Sequence, residues 1–129
     1  MRTEEKALES GPLERLLGGS AVARILDFMV VFRRWDYSKM DIAKNSGVSF
    51  RHALREIPKL EKLGIIKETR RVGRAVMYQL DEDSPIGKTV KDLIFQMGRL
   101  EAEEVAREEL AKEETAKEKA IEVAVAPTA

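Results

Sequence analysis

Basic side chains between Ser49 and Arg74 have the types and the spacing needed to bind nucleic acid. Arg51 and Arg55 are four residues apart, so a helix would present both on one face. A guanidinium group can donate to two acceptors of guanine in the major groove, and Phe50 or Leu54 could contact a thymine methyl group. The alternative is that these side chains form an ordinary solvated face.

A second basic group surrounds Gly73. Arg70, Arg71 and Arg74 fall where two short apolar segments meet, which predicts a hairpin with arginines at its tip. Such a tip suits contact with phosphates or with the minor groove. The alternative is a charged edge that keeps the hairpin soluble.

Helix starts supply further candidates, because free amide N–H groups there can hold phosphates. Ser38 with Lys39, and Ser49, mark two such starts, although both serines could act only as helix caps. The candidate DNA contacts are Ser38, Lys39, Ser49, Phe50, Arg51, His52, Arg55, Lys59, Arg70, Arg71 and Arg74.

The residue types argue against catalysis and metal binding. The chain has no cysteine, and His52 is its only histidine, so a transition-metal site is not expected. We find no glycine-rich phosphate loop and no pairing of a nucleophile with a base. We therefore expect no catalytic residues, no cofactor and no enzymatic activity.

The charge is balanced overall but unevenly distributed. The 129 residues carry 23 Lys plus Arg and 23 Asp plus Glu, and 43% of residues are apolar. From Ser49 to Arg74 there are eight basic residues against three Glu, a net charge of +5, and from Glu101 to Glu122 nine Glu against four basic residues, a net charge of −5. A charged N-terminus and short apolar runs predict a soluble, cytoplasmic protein without a membrane span.

Apolar periodicity predicts the elements that position these residues. Pro12 starts a short helix with Leu13, Leu16 and Leu17 on one face. Ser20 caps a core helix over Ala21 to Trp35, whose second apolar face (Phe28, Val31, Phe32) is either buried or meets a partner.

Further helices are predicted over Lys39 to Asn45, with Met40, Ile42 and Ala43 inward, and over Phe50 to Leu63. Strands are predicted over Ile65 to Arg70 and Ala75 to Leu80. Pro58 would either bend or break the helix that contains it.

A long helix is predicted after Ser84 and Pro85. Ile86, Val90, Leu93, Met97 and Leu100 follow spacings of four and three, which is the seam of a short coiled coil. This seam either packs on its own domain or forms a homodimer interface. Residues 101–120 are strong helix formers without an apolar stripe, so they either extend the helix or fray.

The segments DIAKNSGVS and LEKLGIIKETRRVGRAVMYQL resemble the winged helix-turn-helix family of transcription regulators, of the ArsR- and MarR-like, archaeal type. The resemblance covers residues 38–80 and extends to 21–37. It implies a mainly α fold with a small β-hairpin wing and a strand stub near residues 36–38. Metal-sensing members use cysteine or histidine clusters that are missing here, and a small-molecule effector is left open.

We therefore expect a DNA-binding transcriptional regulator that binds double-stranded DNA as a homodimer. The recognition helix, about residues 50–63, would enter the major groove, and the wing, 70–74, would contact the backbone or minor groove. The expected domains are an N-terminal arm (1–19), the winged-helix domain (20–84), a C-terminal helix (85–120) and a disordered tail (121–129). The alternative function is a protein-interaction module in a transcription, replication or chromatin assembly.

Overall fold

The computed structural model describes residues 10–125. In chain order the elements are α1 (Pro12–Leu17), α2 (Ala21–Val31), β1 (Tyr37–Ser38), α3 (Lys39–Ser46), α4 (Phe50–Lys62), β2 (Ile66–Val72), β3 (Ala75–Leu80) and α5 (Pro85–Val125). The fold is mainly α with a small antiparallel sheet and a long C-terminal helix, as predicted. Residues 1–9 of the expected N-terminal arm lie outside the described residues.

The chain divides into two compact units, one ending at Gly98 and the other starting at Arg99. The first unit holds every element up to β3 together with the first turns of α5. The second unit is the remainder of α5. Helix α5 continues to Val125, so residues 101–120 are helical and the disorder predicted from residue 121 is wrong for 121–125. Residues 126–129 lie outside the described part.

The core is built from one face of each short helix and from the hairpin. Helix α2 is the predicted core helix, because Ile25, Leu26, Met29 and Val30 are buried and Val22 packs against them. The helix ends at Val31 and not at Trp35. Three apolar side chains at and after that end are exposed: Val31, Phe32 and Trp35 are 51%, 53% and 69% accessible.

Three other apolar side chains lie on the surface, of which only Met40 was predicted to face inward. Met40 is 55% exposed, and Leu16 and Leu17 are 62% and 55% exposed. Each lies on a short helix, and α1 buries only Leu13. A helix of one or two turns has room for about one buried position per turn, so its neighbouring apolar residues stay in solvent.

The predicted serine caps are all confirmed. The side chain of Ser20 accepts the backbone N–H of Ala23, that of Ser38 accepts Asp41, that of Ser49 accepts His52, and that of Ser84 accepts Gly87. Each bond satisfies one of the N–H groups that a helix start leaves without an internal partner. These caps fix where α2, α3, α4 and α5 begin.

Helix α1 is capped from a distance by a buried carboxylate. Asp27, in the middle of α2, accepts the backbone N–H groups of Leu13 at 2.9 Å and Glu14 at 2.8 Å. Burial raises the pKa of the Asp27 carboxyl, against the two backbone hydrogen bonds, which lower it. Gly11 fits beside this carboxyl because a Cβ atom there would lie 2.3 Å from the Asp27 Cγ. Sequence periodicity gave no sign of this cap.

The sheet has the strand order β1-β3-β2, with both pairs antiparallel. The predicted strand stub is confirmed, because Tyr37 pairs with Tyr78 and Ser38 with Met77. A bulge in β2 separates the Glu68–Tyr78 pair from the Arg71–Val76 pair. Strand β2 runs on to Val72, so the turn is shorter than predicted, and Gly73 adopts a φ of 61°.

Helix α4 continues without a break from Phe50 to Lys62, with Pro58 inside it. The alternative of two separate helical segments is therefore wrong. Pro58 cannot donate to the carbonyl of Leu54. Both residues lie on the exposed side of the helix, where water can hydrate that carbonyl, and this reduces the cost of the proline.

In the described part of the chain, none of the helices combines the length and the apolar character that crossing a bilayer requires.

Candidate nucleic-acid interface

Helix α4 carries a row of four basic side chains opposite its buried face. Ala53, Ile57 and Leu60 are buried. At 100° per residue, the side opposite them holds Arg51, Arg55, Lys59 and Lys62, all of which are exposed. Lys62 was missing from the predicted contacts, although its spacing of seven from Arg55 is visible in the sequence.

Most of this row has no acidic partner. The Lys59 Nζ atom lies 3.4 Å from Glu56 Oε1, one turn away on the same helix. Within the described residues, no carboxylate pairs with Arg51, Arg55 or Lys62. Their charge is therefore available to phosphates or base edges.

The start of α4 brings a serine and the histidine together. Ser49 Oγ accepts the His52 backbone N–H at 3.1 Å and lies 3.2 Å from His52 Nδ1. Ser49 is therefore engaged as a cap, while the His52 ring remains exposed beside it. Phe50 and Leu54 are 40% and 44% exposed, which leaves apolar surface beside the basic row.

The start of α3 is arranged differently from the start of α4. The Ser38 hydroxyl is engaged by the Asp41 backbone N–H at 3.1 Å. The Lys39 Nζ atom lies 5.8 Å from the centre of the Tyr78 ring, within the range of a cation–π contact. Lys39 therefore contacts the sheet through Tyr78. Ser38 and Lys39, the candidate DNA contacts at this helix start, both make contacts within the fold.

The hairpin tip presents two arginines and not three. Arg71 and Arg74 are exposed, and neither pairs with a carboxylate in the described part of the chain. Arg70 lies in the bulge and is held away from the tip by Asp36, with Nε to Oδ2 at 2.8 Å and Nη2 to Oδ1 at 3.1 Å. The prediction grouped Arg70 with the tip because the bulge could not be seen in the sequence.

The carboxyl of Asp36 is unusually acidic. Its hydrogen bonds from the Arg70 side chain, and then from the Thr69 hydroxyl at 2.6 Å, lower its pKa to about 2. These bonds favour the charged form of the carboxyl. The arginine that could have joined the basic surface therefore joins β2 to the residue before β1.

The predicted seam on α5 faces in two directions. Ile86 and Leu93 are 43% and 46% exposed, and their spacing of seven places them on one side of the helix. Leu100, in the second unit, is 59% exposed. Val90 and Met97 instead pack against the core of their own chain, and Ile94, which the seam omitted, is almost fully buried. Two of the five residues of the predicted seam therefore pack inside the domain.

Among the residues that the structure describes, no three His, Cys, Asp or Glu side chains are grouped so that they could hold a metal ion.

Several solved structures are similar in fold. MepR, a transcription regulator of the Staphylococcus aureus multidrug efflux pump MepA, is 14% identical over 88% of this chain and 87% of its own, with a TM-score of 0.58. The adhesin competence repressor AdcR from Streptococcus pyogenes is 17% identical over 80% and 78%, with a TM-score of 0.51. ZitR from Lactococcus lactis, in its apo form, is 14% identical over 83% and 79%, with a TM-score of 0.51.

No protein-family model and no characterised protein sequence matches this chain. The structural similarities show that its fold is that of the winged-helix regulators.

Proposed function

We propose that this protein is a DNA-binding transcription regulator that reads double-stranded DNA with α4. The observation that carries the proposal is the basic row on α4, in which Arg51, Arg55 and Lys62 have no acidic partner among the described residues. A helix of this kind fits the major groove and can place arginines against guanine. MepR and AdcR, which share the fold, are described as a transcription regulator and a repressor.

The wing supplies the second contact. Arg71 and Arg74 at the hairpin tip would bind the phosphate backbone or the minor groove, which orients the protein without reading sequence. Ser49 and His52 at the start of α4 would lie near a phosphate. Arg70 contributes less than the tip arginines, because Asp36 neutralises it. Such a role requires access to genomic DNA, which for a regulator of the archaeal type means the cytoplasm.

A homodimer would place two copies of α4 on one pseudo-palindromic site. The residues that would form its interface are those of the α5 seam that remain exposed, Ile86, Leu93 and Leu100. Val90 and Met97 would support them from beneath, since they pack on the core. Three side chains make a small interface, so other exposed apolar residues, such as Leu16 and Leu17, would have to take part.

A mobility-shift assay against genomic fragments at two salt concentrations tests DNA binding. Because binding to phosphates releases counterions, the affinity should fall as salt rises. Retarded complexes at low salt that weaken at high salt support the proposal, and an absence of salt-sensitive binding would contradict it.

The second candidate is a protein-interaction module that uses the second unit as an acidic arm. This is favoured by the net charge of −5 between Glu101 and Glu122, on a helix whose residues from 102 to 124 are all exposed. Pull-down from a nuclease-treated lysate separates the two functions, since a protein partner retained without nucleic acid favours the module.

A further inference from the structure

Helix α4 carries exposed apolar side chains that the proposed arginine contacts leave unused. Phe50, Leu54 and Pro58 follow one another at a spacing of four, so each lies one turn beyond the last on neighbouring positions of the helix surface. Phe50 and Leu54 are 40% and 44% exposed, and Pro58 is exposed as well. We call these three residues the apolar row of α4.

Pro58 is the member of this row that core packing does not require. Proline is the least favourable residue inside a helix, because it lacks an N–H group and crowds the carbonyl of the residue four positions earlier, here Leu54. The buried side chains of α4 are Ala53, Ile57 and Leu60, so Pro58 fills no place in the core. An unfavourable residue at an exposed position indicates a role for the surface that it forms.

The apolar row lies directly beside positive charge. Arg55 and Lys62 are three and four residues from Pro58, so both neighbour it on the helix surface. No carboxylate pairs with Arg51, Arg55 or Lys62 in the part of the chain that the structure describes. The occupant that fits this surface therefore combines negative charge with apolar groups. Duplex DNA offers phosphates and, in the major groove, the C5-methyl groups of thymine.

We propose that the apolar row of α4 reads thymine methyl groups, so that the preferred sites hold thymines close to the guanines that the arginines contact. The inference rests on the proposed function and extends it to the class of sequence that α4 selects. From Phe50 to Pro58 the helix rises about 12 Å, which corresponds to about four base pairs. Burial of one methyl group against an apolar side chain changes an affinity about fourfold.

The test replaces thymine with deoxyuridine, which differs only in lacking the C5-methyl group. A duplex that the full chain selects from random sequence is prepared with each thymine replaced in turn, and affinities are measured by fluorescence anisotropy. We expect about fourfold weaker binding at the sensitive positions, and we expect these to cluster within about four neighbouring base pairs for each bound protomer. Equal affinity for all of these duplexes, or a selected site without thymine, would overturn the inference while DNA binding stands.

A variant of Leu54 attributes the effect to a contact. Leu54→Ala should bind the thymine duplex about fourfold more weakly and should lose its sensitivity to deoxyuridine at one position, as coupled partners do. Leu63→Ala, which removes an exposed leucine outside the row, should keep both the affinity and the sensitivity. Unchanged sensitivity in both Leu54→Ala and Pro58→Ala would show that deoxyuridine acts through the stiffness of the duplex, and it would contradict the inference.

Pro58→Ala separates a role in binding from a role in folding. Alanine restores the missing N–H group and is the best helix former, so the melting temperature should rise. The affinity for the thymine duplex should nevertheless fall about twofold to fourfold. A more stable variant with unchanged affinity and unchanged sensitivity to deoxyuridine would overturn the role of Pro58. A protein that binds no duplex at all would contradict the proposed function and this inference together.

Discussion

The guanidinium group of Arg70 makes two hydrogen bonds to the carboxylate of Asp36, at 2.8 and 3.1 Å. The two residues are 34 positions apart, and the pair joins the bulge of β2 to the residue before β1. The positive charge of Arg70 is therefore used within the fold, while Arg71 and Arg74 remain available at the tip of the wing.

The hydrogen bonds between Arg70 and Asp36 predict how the Asp36 carboxyl titrates. The pKa of Asp36 is lowered to about 2, so the pair contributes stability above the ordinary aspartate pKa of about 3.9 and loses it as pH falls towards 2. A ¹³C NMR titration of the Asp36 carboxyl should show this midpoint, and Arg70→Ala should return it towards about 3.9. An unchanged midpoint in Arg70→Ala would mean that the pair does not persist in solution.

Two glycines of α5 should respond to alanine with opposite signs. At Gly87 a Cβ atom would lie 1.9 Å from the carbonyl oxygen of Asp81, so Gly87→Ala should cost about 2 kcal/mol of unfolding free energy by overpacking. At Gly98 the nearest atom, Pro12 Cγ, is 3.6 Å away, so Gly98→Ala should stabilise by about 0.5–1 kcal/mol through helix propensity. Urea denaturation measures both, and a stabilising Gly87→Ala would show that α5 does not start against this loop.

The long-range cap of α1 by Asp27 should contribute more to the free energy of unfolding than a local serine cap. Asp27→Ala leaves the N–H groups of Leu13 and Glu14 unpaired and should cost about 2 kcal/mol, whereas Ser20→Ala removes one cap bond and should cost about 1 kcal/mol. Burial raises the pKa of Asp27 in the folded state. The protonated carboxyl therefore adds to the free energy of unfolding below the ordinary aspartate pKa, and this contribution is lost as pH rises through the folded-state pKa. The cost of Asp27→Ala should therefore fall between pH 4 and pH 7, and a cost that rises over this interval would contradict the assigned burial.

The proposed homodimer is tested at the middle of the exposed seam. Leu93 is 46% exposed, so Leu93→Glu should leave the fold intact while it places a charge in the interface, and sedimentation velocity should show a shift to monomer. Lys88→Glu, on another side of α5, is the matched control and should leave the sedimentation profile unchanged. If neither variant changes it, the seam is not the interface.

The two groups of arginines should affect DNA binding differently. If α4 reads bases as proposed, Arg51→Ala with Arg55→Ala should weaken binding to a selected site more than binding to random duplex. If the wing contacts the backbone as proposed, Arg71→Ala with Arg74→Ala should weaken both about equally. Anisotropy measurements on the two duplexes provide the comparison, and equal effects of the two double variants would contradict these roles.

Local signals predicted much of this fold. The four serine caps and Gly73 each depend on a few neighbouring residues, and their predicted positions agree with the structure. The strand at Tyr37 was expected only through the resemblance to winged-helix proteins. Features that depend on distant contacts were missed.

The features that sequence reasoning missed have specific causes. The bulge in β2 is set by pairing with β3, so the placement of Arg70 required the register of the sheet. In the sequence Asp27 is only a polar residue on a predicted helix, because its role as a cap depends on the packing of α1 against α2. The apolar residues of α5 were assigned to one seam, because periodicity gives the side of a helix on which residues lie but not the partner that each side meets. In the structure Ile94 faces the core.

The salt dependence of binding to a double-stranded site tests the central claim most directly. If Arg71 and Arg74 contact phosphates, the negative slope of the logarithm of affinity against the logarithm of salt should become shallower by about 2 in Arg71→Ala with Arg74→Ala. The parallel control is Arg70→Ala, whose charge is already neutralised by Asp36 and which should change the slope by less than about 1. We expect the wild-type affinity for DNA to fall as salt rises, and we expect the slope to change more in Arg71→Ala with Arg74→Ala than in Arg70→Ala. A protein without salt-sensitive affinity for DNA would contradict the claim.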